Sequence, residues 1–225
     1  MDYLHRNNWS TYGSLTVSPG TPNPSIQPFY EPLPTGFEAS ARLDVPDPTG
    51  TQQRQALQLI RTFWGHQLGQ DPGGTLWEKA NLAGEPGIAQ FTSLAHGWAA
   101  GPTISLTTQV LGVQPTGPGF SRYSVVPAPG GLAWAQGSVP TPHGDITASW
   151  RSTPHGFTLS SSAPRGTVGD LAVPTGGQQV RVEFDGRTVW DGTRALGGAH
   201  VTTDGVTVRV SGVGAGHHTL TAHTA

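Results

Sequence analysis

At 225 residues the chain has room for one large domain or two small ones, and a formal net charge of −2 gives it no electrostatic footprint for nucleic acid or an anionic membrane. It has no cysteine, which excludes disulfides and thiolate metal sites, and no apolar run approaches the ~20 residues of a membrane-spanning helix. Gly (32) and Pro (20) are abundant, but they punctuate apolar runs instead of forming repeats, which points to many short strands and tight turns. The opening Met1-Asp2-Tyr3-Leu4-His5-Arg6 lacks the basic-then-apolar layout of a secretory signal, so the expectation is a soluble, cytoplasmic chain or a soluble piece of one.

In chain order, an irregular entry through Ser18 to Pro24 leads into a helical half. Thr35 and Glu38 have capping-box spacing and predict a short helix through Phe37 and Ala41, ended by Pro46 and Pro48. From about Thr51 a second helix places Leu57, Ile60, Trp64 and Leu68 on one stripe, with Gly69 near its stop. Asp71 to Glu85 reads as a loop. A third helix is expected to carry Phe91, Leu94, Ala95 and Trp98 on one face. Gly101-Pro102 interrupts it, and a last piece holds Leu106, Val110 and Leu111 before Gly112.

From Pro115 the period changes to two. Strand-like runs are Arg122 to Val126, Asp145 to Trp150, Phe157 to Ser160, Val180 to Phe184, Val206 to Val210 and Thr219 to Ala222. His143-Gly144, His155-Gly156, Asp185-Gly186, Asp191-Gly192 and Asp204-Gly205 separate them. Asp185-Gly186 and Asp204-Gly205 are the specific hairpin signals, because a type I′ turn needs positive φ at both central residues. The fold class that follows is α+β in two domains, a helical segment over 1–112 and an antiparallel β-sandwich over 113–225.

One stretch carries chemistry. In a chain only 12% charged, Thr75-Leu76-Trp77-Glu78-Lys79 sets a carboxylate beside an indole, just after the turn Asp71-Pro72-Gly73-Gly74, and Ser93-Leu94-Ala95-His96-Gly97-Trp98 follows closely. A loop carboxylate beside aromatic rings is a layout for sugars: ring faces stack on the sugar's C–H faces while the carboxylate handles protons. The bland alternative for Glu78 is a helix cap or a partner for Lys79. Trp77 either floors a sugar subsite or anchors the core under the loop, and it is expected to raise the Glu78 pKa by desolvation. His96 either contacts a sugar hydroxyl or is a buried structural histidine. Trp98 and Trp64 belong to apolar stripes and read as core.

Gly73 to Lys79, Ser93 to Trp98 with Gly101-Pro102, Val110-Leu111-Gly112-Val113 and Pro118-Gly119-Phe120 together resemble the C-terminal end of bacterial α-L-rhamnosidases. Pro28-Phe29-Tyr30, Phe37-Glu38-Ala39, Ala56 to Arg61 with Trp64-Gly65, Gly137 to Pro142 and Ile146 to Trp150 fit the same pattern. The likeness runs from about Phe29 to the end, each motif weak alone and moderately specific as an ordered set. It implies the last helices of a six-hairpin α/α toroid followed by a β-sandwich, and inverting hydrolysis in which Glu78 is the general base; on that hypothesis the sugar-side readings of Trp77 and His96 make them the substrate-binding residues. Two departures stand out: Ala80 follows Lys79 where the family often has a second aromatic, and the segment bearing the general acid has no counterpart.

Inverting hydrolysis needs two carboxyl groups roughly 6.5–9.5 Å apart, so the chain alone is expected to turn over little or nothing. Among other carboxylates, Glu38 is explained by capping and Glu31 and Glu85 by solvent exposure. His217, His218 and His223 lack acidic partners at ligand spacing and read as strand-edge residues, so neither a metal nor a cofactor is expected. The expected partner is a carbohydrate containing L-rhamnose, with no nucleic acid and no membrane. Apolar faces around Phe37, Leu57, Phe91 and Leu106 suggest self-association or packing on an upstream domain. The second function class is a noncatalytic carbohydrate-binding or structural sandwich with a helical collar.

Overall fold

The computed structural model describes residues 2–18, 20, 27–87, 91–198 and 200–224. Two compact units form, one from Met1–Leu43 with Arg54–Ser105 and the other from Asp44–Gln53 with Leu106–Ala225.

In the first unit, α1 (Asp2–Asn7) leads to a minimal ribbon of β1 (Trp9–Ser10) and β2 (Gly13–Ser14). Helix α2 (Pro32–Asp44) begins at a proline, whose missing N–H costs nothing in a first turn. The capping box does not form. Thr35 lies inside the helix, where its hydroxyl donates to the Glu31 carbonyl at 2.6 Å, and Glu38 turns instead to Arg42. Helix α3 (Thr51–Leu59) is entered through Asp47, whose Oδ2 accepts from the Gln52 N–H at 2.8 Å. A π turn over Ile60–Trp64 then carries Phe63 and Trp64 together into the core before α4 (Gly65–Gln70). After that turn Gln67 is buried and Leu68 is exposed, which breaks the expected stripe at its last position.

Tyr30 pairs with both Leu15 and Ala80. That small ladder holds a core of Leu15, Tyr30, Phe63, Trp64, Trp77 and Ala80. The expected α-helix over Phe91 to Trp98 is absent: residues 92–96 are irregular, and a 3-10 turn over Gly97–Ala100 precedes α5 (Gly101–Ser105). With no helix there is no stripe, and Phe91, Leu94 and Trp98 are exposed. Gly101 does more than interrupt. A Cβ on it would lie 3.4 Å from the Gly36 Cα, so two glycines let α2 and α5 touch through their backbones. Leu57, expected at an open face, is buried.

The second unit is a sandwich. Its six-stranded sheet runs β10 (Arg187–Trp190), β9 (Val180–Phe184), β13 (Gly216–Thr224), β7 (Gly156–Ala163), β6 (Ile146–Thr153), β5 (Trp134–Val139). The five-stranded sheet runs β11 (His200–Thr203), β12 (Thr207–Val213), β8 (Val168–Pro174), β4 (Arg122–Val125), β3 (Val113–Pro115). Alternation along β6 buries Ile146, Ala148 and Trp150 and leaves Thr147, Ser149 and Arg151 outside. The sheets are antiparallel except at one pair, β4 against β8. Asp185 and Gly186 both take positive φ, as the hairpin signal requires. At Asp204-Gly205 only the glycine does; Asp204 instead accepts the Val206 and Thr207 N–H groups with its carboxylate, at 2.9 and 2.7 Å.

Candidate active site

The loop carrying Glu78 is positioned from both sides. Asp71 accepts the Gly73 N–H at 2.7 Å and the Thr75 hydroxyl, which closes the turn that launches the segment. Gln67, fully buried on α4, accepts the Trp77 N–H through Oε1 at 2.8 Å. Trp77 is 4% exposed and packs into the first unit's core, so of its two readings the geometry places it as the anchor beneath the loop. Ala80 bonds Tyr30 through both its N–H and its C=O at 2.9 Å and is buried in the same core. The position where a second aromatic was expected therefore faces inward.

The two motifs singled out in the sequence lie side by side. The His96 N–H donates to the Leu76 carbonyl at 2.8 Å and the Glu78 N–H to the Ser93 carbonyl at 2.9 Å. The Ser93 N–H completes the arrangement by donating to Glu78 Oε2 at 3.3 Å. Lys79 Nζ lies 3.6 Å from Glu78 Oε1, and the Glu78 side chain is 30% exposed.

These contacts set the ionisation of Glu78 opposite to the sequence expectation. The Ser93 N–H holds its carboxyl below the ordinary value of 4.5, and the positive charges of Lys79 and His96 act the same way; partial desolvation opposes them. Desolvation is outweighed by the Ser93 bond and the two charges, and the Trp77 ring is part of the first unit's core. Since the folded pKa is depressed, the carboxylate's favourable contacts are complete above 4.5 and are lost as pH falls through the lower folded value. A carbon-detected NMR titration of Glu78 should therefore give a midpoint below 4.5, and a midpoint above it would contradict the bonding described.

His96 has extended backbone, φ −102 and ψ 119, rather than helical. The helical-face argument separating it from Trp98 thus lapses: the two rings meet edge-on at 5.8 Å. Trp98 is 66% exposed, a correction to its reading as core. Sequence reasoning missed it because it assumed a helix; Gly97 immediately before it, a poor helix interior residue, was the available signal. Trp64 is core as expected, and its Nε1 donates to the Ala99 carbonyl at 2.7 Å, pinning the turn that presents Trp98. Glu38 is committed to Arg42 and Trp9, and Glu85 accepts from Asn81 Nδ2 at 3.1 Å. On the sandwich, His217 lies 3.1 Å from Ser162 Oγ, while His218 Nδ1 lies 2.8 Å from Asp185. His223 lies 3.5 Å from Glu183.

Residues 112–187, which run from just before β3 to the start of β10, match the bacterial alpha-L-rhamnosidase C-terminal domain. Over those residues the chain is similar to that domain. An alpha-L-rhamnosidase of Alteromonas sp. (strain LOR) is 39% identical over 66 residues, covering 29% of this chain and 7% of that relative. One from Streptomyces avermitilis is 29% identical over 153 residues, covering 63% of this chain and 14% of the relative. Among solved structures, the α-L-rhamnosidase of Dictyoglumus thermophilum superposes with a TM-score of 0.61 at 19% identity, over 76% of this chain and 19% of that one. The Streptomyces avermitilis enzyme complexed with L-rhamnose gives a TM-score of 0.57 at 22% identity, over 76% and 16%. At that identity the likeness is one of fold: helices followed by antiparallel sheets, matching a portion of the rhamnosidase structures. The chain spans less than a fifth of each of these proteins. Glu78 lies outside the residues matched to the rhamnosidase C-terminal domain.

Proposed function

We propose that the helical unit contributes to the catalytic domain of an inverting α-L-rhamnosidase, with Glu78 as the carboxylate that deprotonates the attacking water. The observation that carries this reading is the pairing of the two motifs, which holds a partly exposed, readily ionised carboxylate against Ser93 and in electrostatic reach of His96. His96 and the exposed ring of Trp98 supply what a sugar needs beside it, a polar contact and an apolar face. Trp77 acts from beneath, holding the loop. The exposed side chains Phe37, Phe91, Leu94 and Ile104 fit helices that pack against further helices of a toroid. A relative solved with L-rhamnose supports the choice of sugar.

Hydrolysis of an ordinary rhamnoside also needs a proton for the leaving oxygen, and Glu38, the carboxylate most deeply placed in this unit, is held by Arg42. Aryl rhamnosides should therefore be turned over at background rates by this chain. α-L-Rhamnosyl fluoride is a sharper probe, because fluoride departs without protonation while water adds to the anomeric carbon and surrenders its proton to the base. The chain should hydrolyse it above background, and Glu78→Gln should lower that rate by at least about a hundredfold, the lower end of general-base contributions. Equal rates for parent and variant would refute the assignment.

A further inference from the structure

The outer face of the six-stranded sheet carries a groove of about 370 Å³ that the catalytic reading does not use. Its side-chain lining comes from outward positions on four adjacent strands: Gln136 on β5, Thr147 and Ser149 on β6, Ser160 and Ser162 on β7, and His217 on β13. Register explains the assembly. Gln136 is opposite Ser149 and Ser149 opposite Ser160, while Thr147 is opposite Ser162 and Ser162 opposite His217. Two polar rows thus cross the sheet, side chains within a row about 5 Å apart and the rows about 7 Å from one another.

Trp134 extends this surface. It lies two residues before Gln136 on β5, hence on the same outward face, and is 57% exposed beside Arg151. An exposed indole on an edge strand is otherwise a liability.

We propose that this face binds an uncharged glycan chain, with Trp134 as the stacking platform and the two hydroxyl rows as the hydrogen-bonding floor. Charge complementarity selects the ligand. Among the described residues no Lys, Arg, Asp or Glu side chain lines the groove itself, so its floor offers no charge to phosphate, sulfate or an acidic peptide, and Arg151 stands outside it, opposite Trp134. Serine and threonine hydroxyls both donate and accept, which suits a ligand whose own hydroxyls do the same. The site stands on the sandwich alone and requires nothing of Glu78.

The test is affinity electrophoresis of the full chain in native gels cast with galactomannan, xylan or mixed-linkage β-glucan, with polygalacturonate as the anionic comparator. Retardation is expected in at least one neutral gel and not in polygalacturonate. Trp134→Ala and Ser149→Lys, both surface changes whose folding is checked by circular dichroism, should weaken it at least tenfold, and Glu78→Gln should leave it unchanged. Unaltered mobility in all neutral gels overturns the proposal. So does retardation that persists in both face variants or is lost only in Glu78→Gln. Sedimentation showing a dimer that Trp134→Ala dissociates, with no glycan effect, would assign the face to a second copy instead.

Discussion

Replacing Arg42 with alanine should destabilise the helical unit by about 3–5 kcal/mol, measured by urea unfolding against the parent chain. Arg42 is 0% exposed, and its guanidinium makes three kinds of contact at once. Nε and Nη2 donate to Glu38 Oε1 at 2.9 and 2.7 Å, Nη1 donates to Gln55 Oε1 at 2.6 Å, and the group lies 5.1 Å from the Trp9 ring centroid. Trp9 Nε1 also donates to Glu38 Oε1, at 2.9 Å. Deleting the cation leaves the Glu38 carboxylate inside the unit without its countercharge, and the cost is that of an unpaired buried ion rather than of a lost surface bridge. The double variant Glu38→Leu with Arg42→Met removes both charges and fills the space, so it should cost far less than Arg42→Ala alone. A single variant within 1 kcal/mol of the parent would mean that water reaches the pair.

The second large effect belongs to the sandwich. Trp150→Ala should cost about 3–5 kcal/mol, the range for deleting a large aromatic from a packed core. The ring is buried and stacked on Phe157 with centroids 5.4 Å apart, and Nε1 donates to the Val110 carbonyl at 3.0 Å. That bond ties β6 to the π turn over Leu106–Val110 that precedes β3. Trp150→Phe separates the two contributions: it keeps the stack, leaves the Val110 carbonyl without its donor, and should cost only about 1–3 kcal/mol. Thermal or urea unfolding of both variants measures the difference, and equal losses would show that the hydrogen bond, not the ring, dominates.

The sandwich was the more legible half because its signals are local. In β6 and β7 the alternation of side chains is enforced by the pleat itself, so burial follows from position modulo two. Asp185-Gly186 was readable for the same reason, since its turn is specified by the two residues that form it. Strands β5 and β8 escaped notice: Trp134 to Val139 has weak apolar alternation, and Val168 to Pro174 has no exposed position and buries Leu171, Ala172 and Val173 in a row, so it shows no clean period. The parallel pairing of β4 with β8 was equally invisible, because it joins segments more than forty residues apart.

In the helical half the period misled. Phe91, Leu94 and Trp98 have helical spacing, yet the backbone there gives its hydrogen bonds to the loop before it: the Ser93 carbonyl accepts from Glu78 and the His96 N–H donates to Leu76. Those partners are fixed by tertiary contact, and a segment whose groups are satisfied that way has no call for a helix. The Glu78 pKa turned on the same fact. Its neighbour in sequence, Trp77, faces the core, while the N–H that governs its charge comes from Ser93.

The chain's residues by themselves determined the class of the fold, the change from helices to strands, and the pair of motifs in which the candidate chemistry lies. They did so because periodicity, turn chemistry and composition act over a few neighbouring residues. Tertiary structure alone decided that Glu38 pairs with Arg42, that Trp98 is open while Trp77 is closed, and that Ser93 meets Glu78. Each of those outcomes depends on which distant group reaches a polar atom first, a competition that no local pattern encodes.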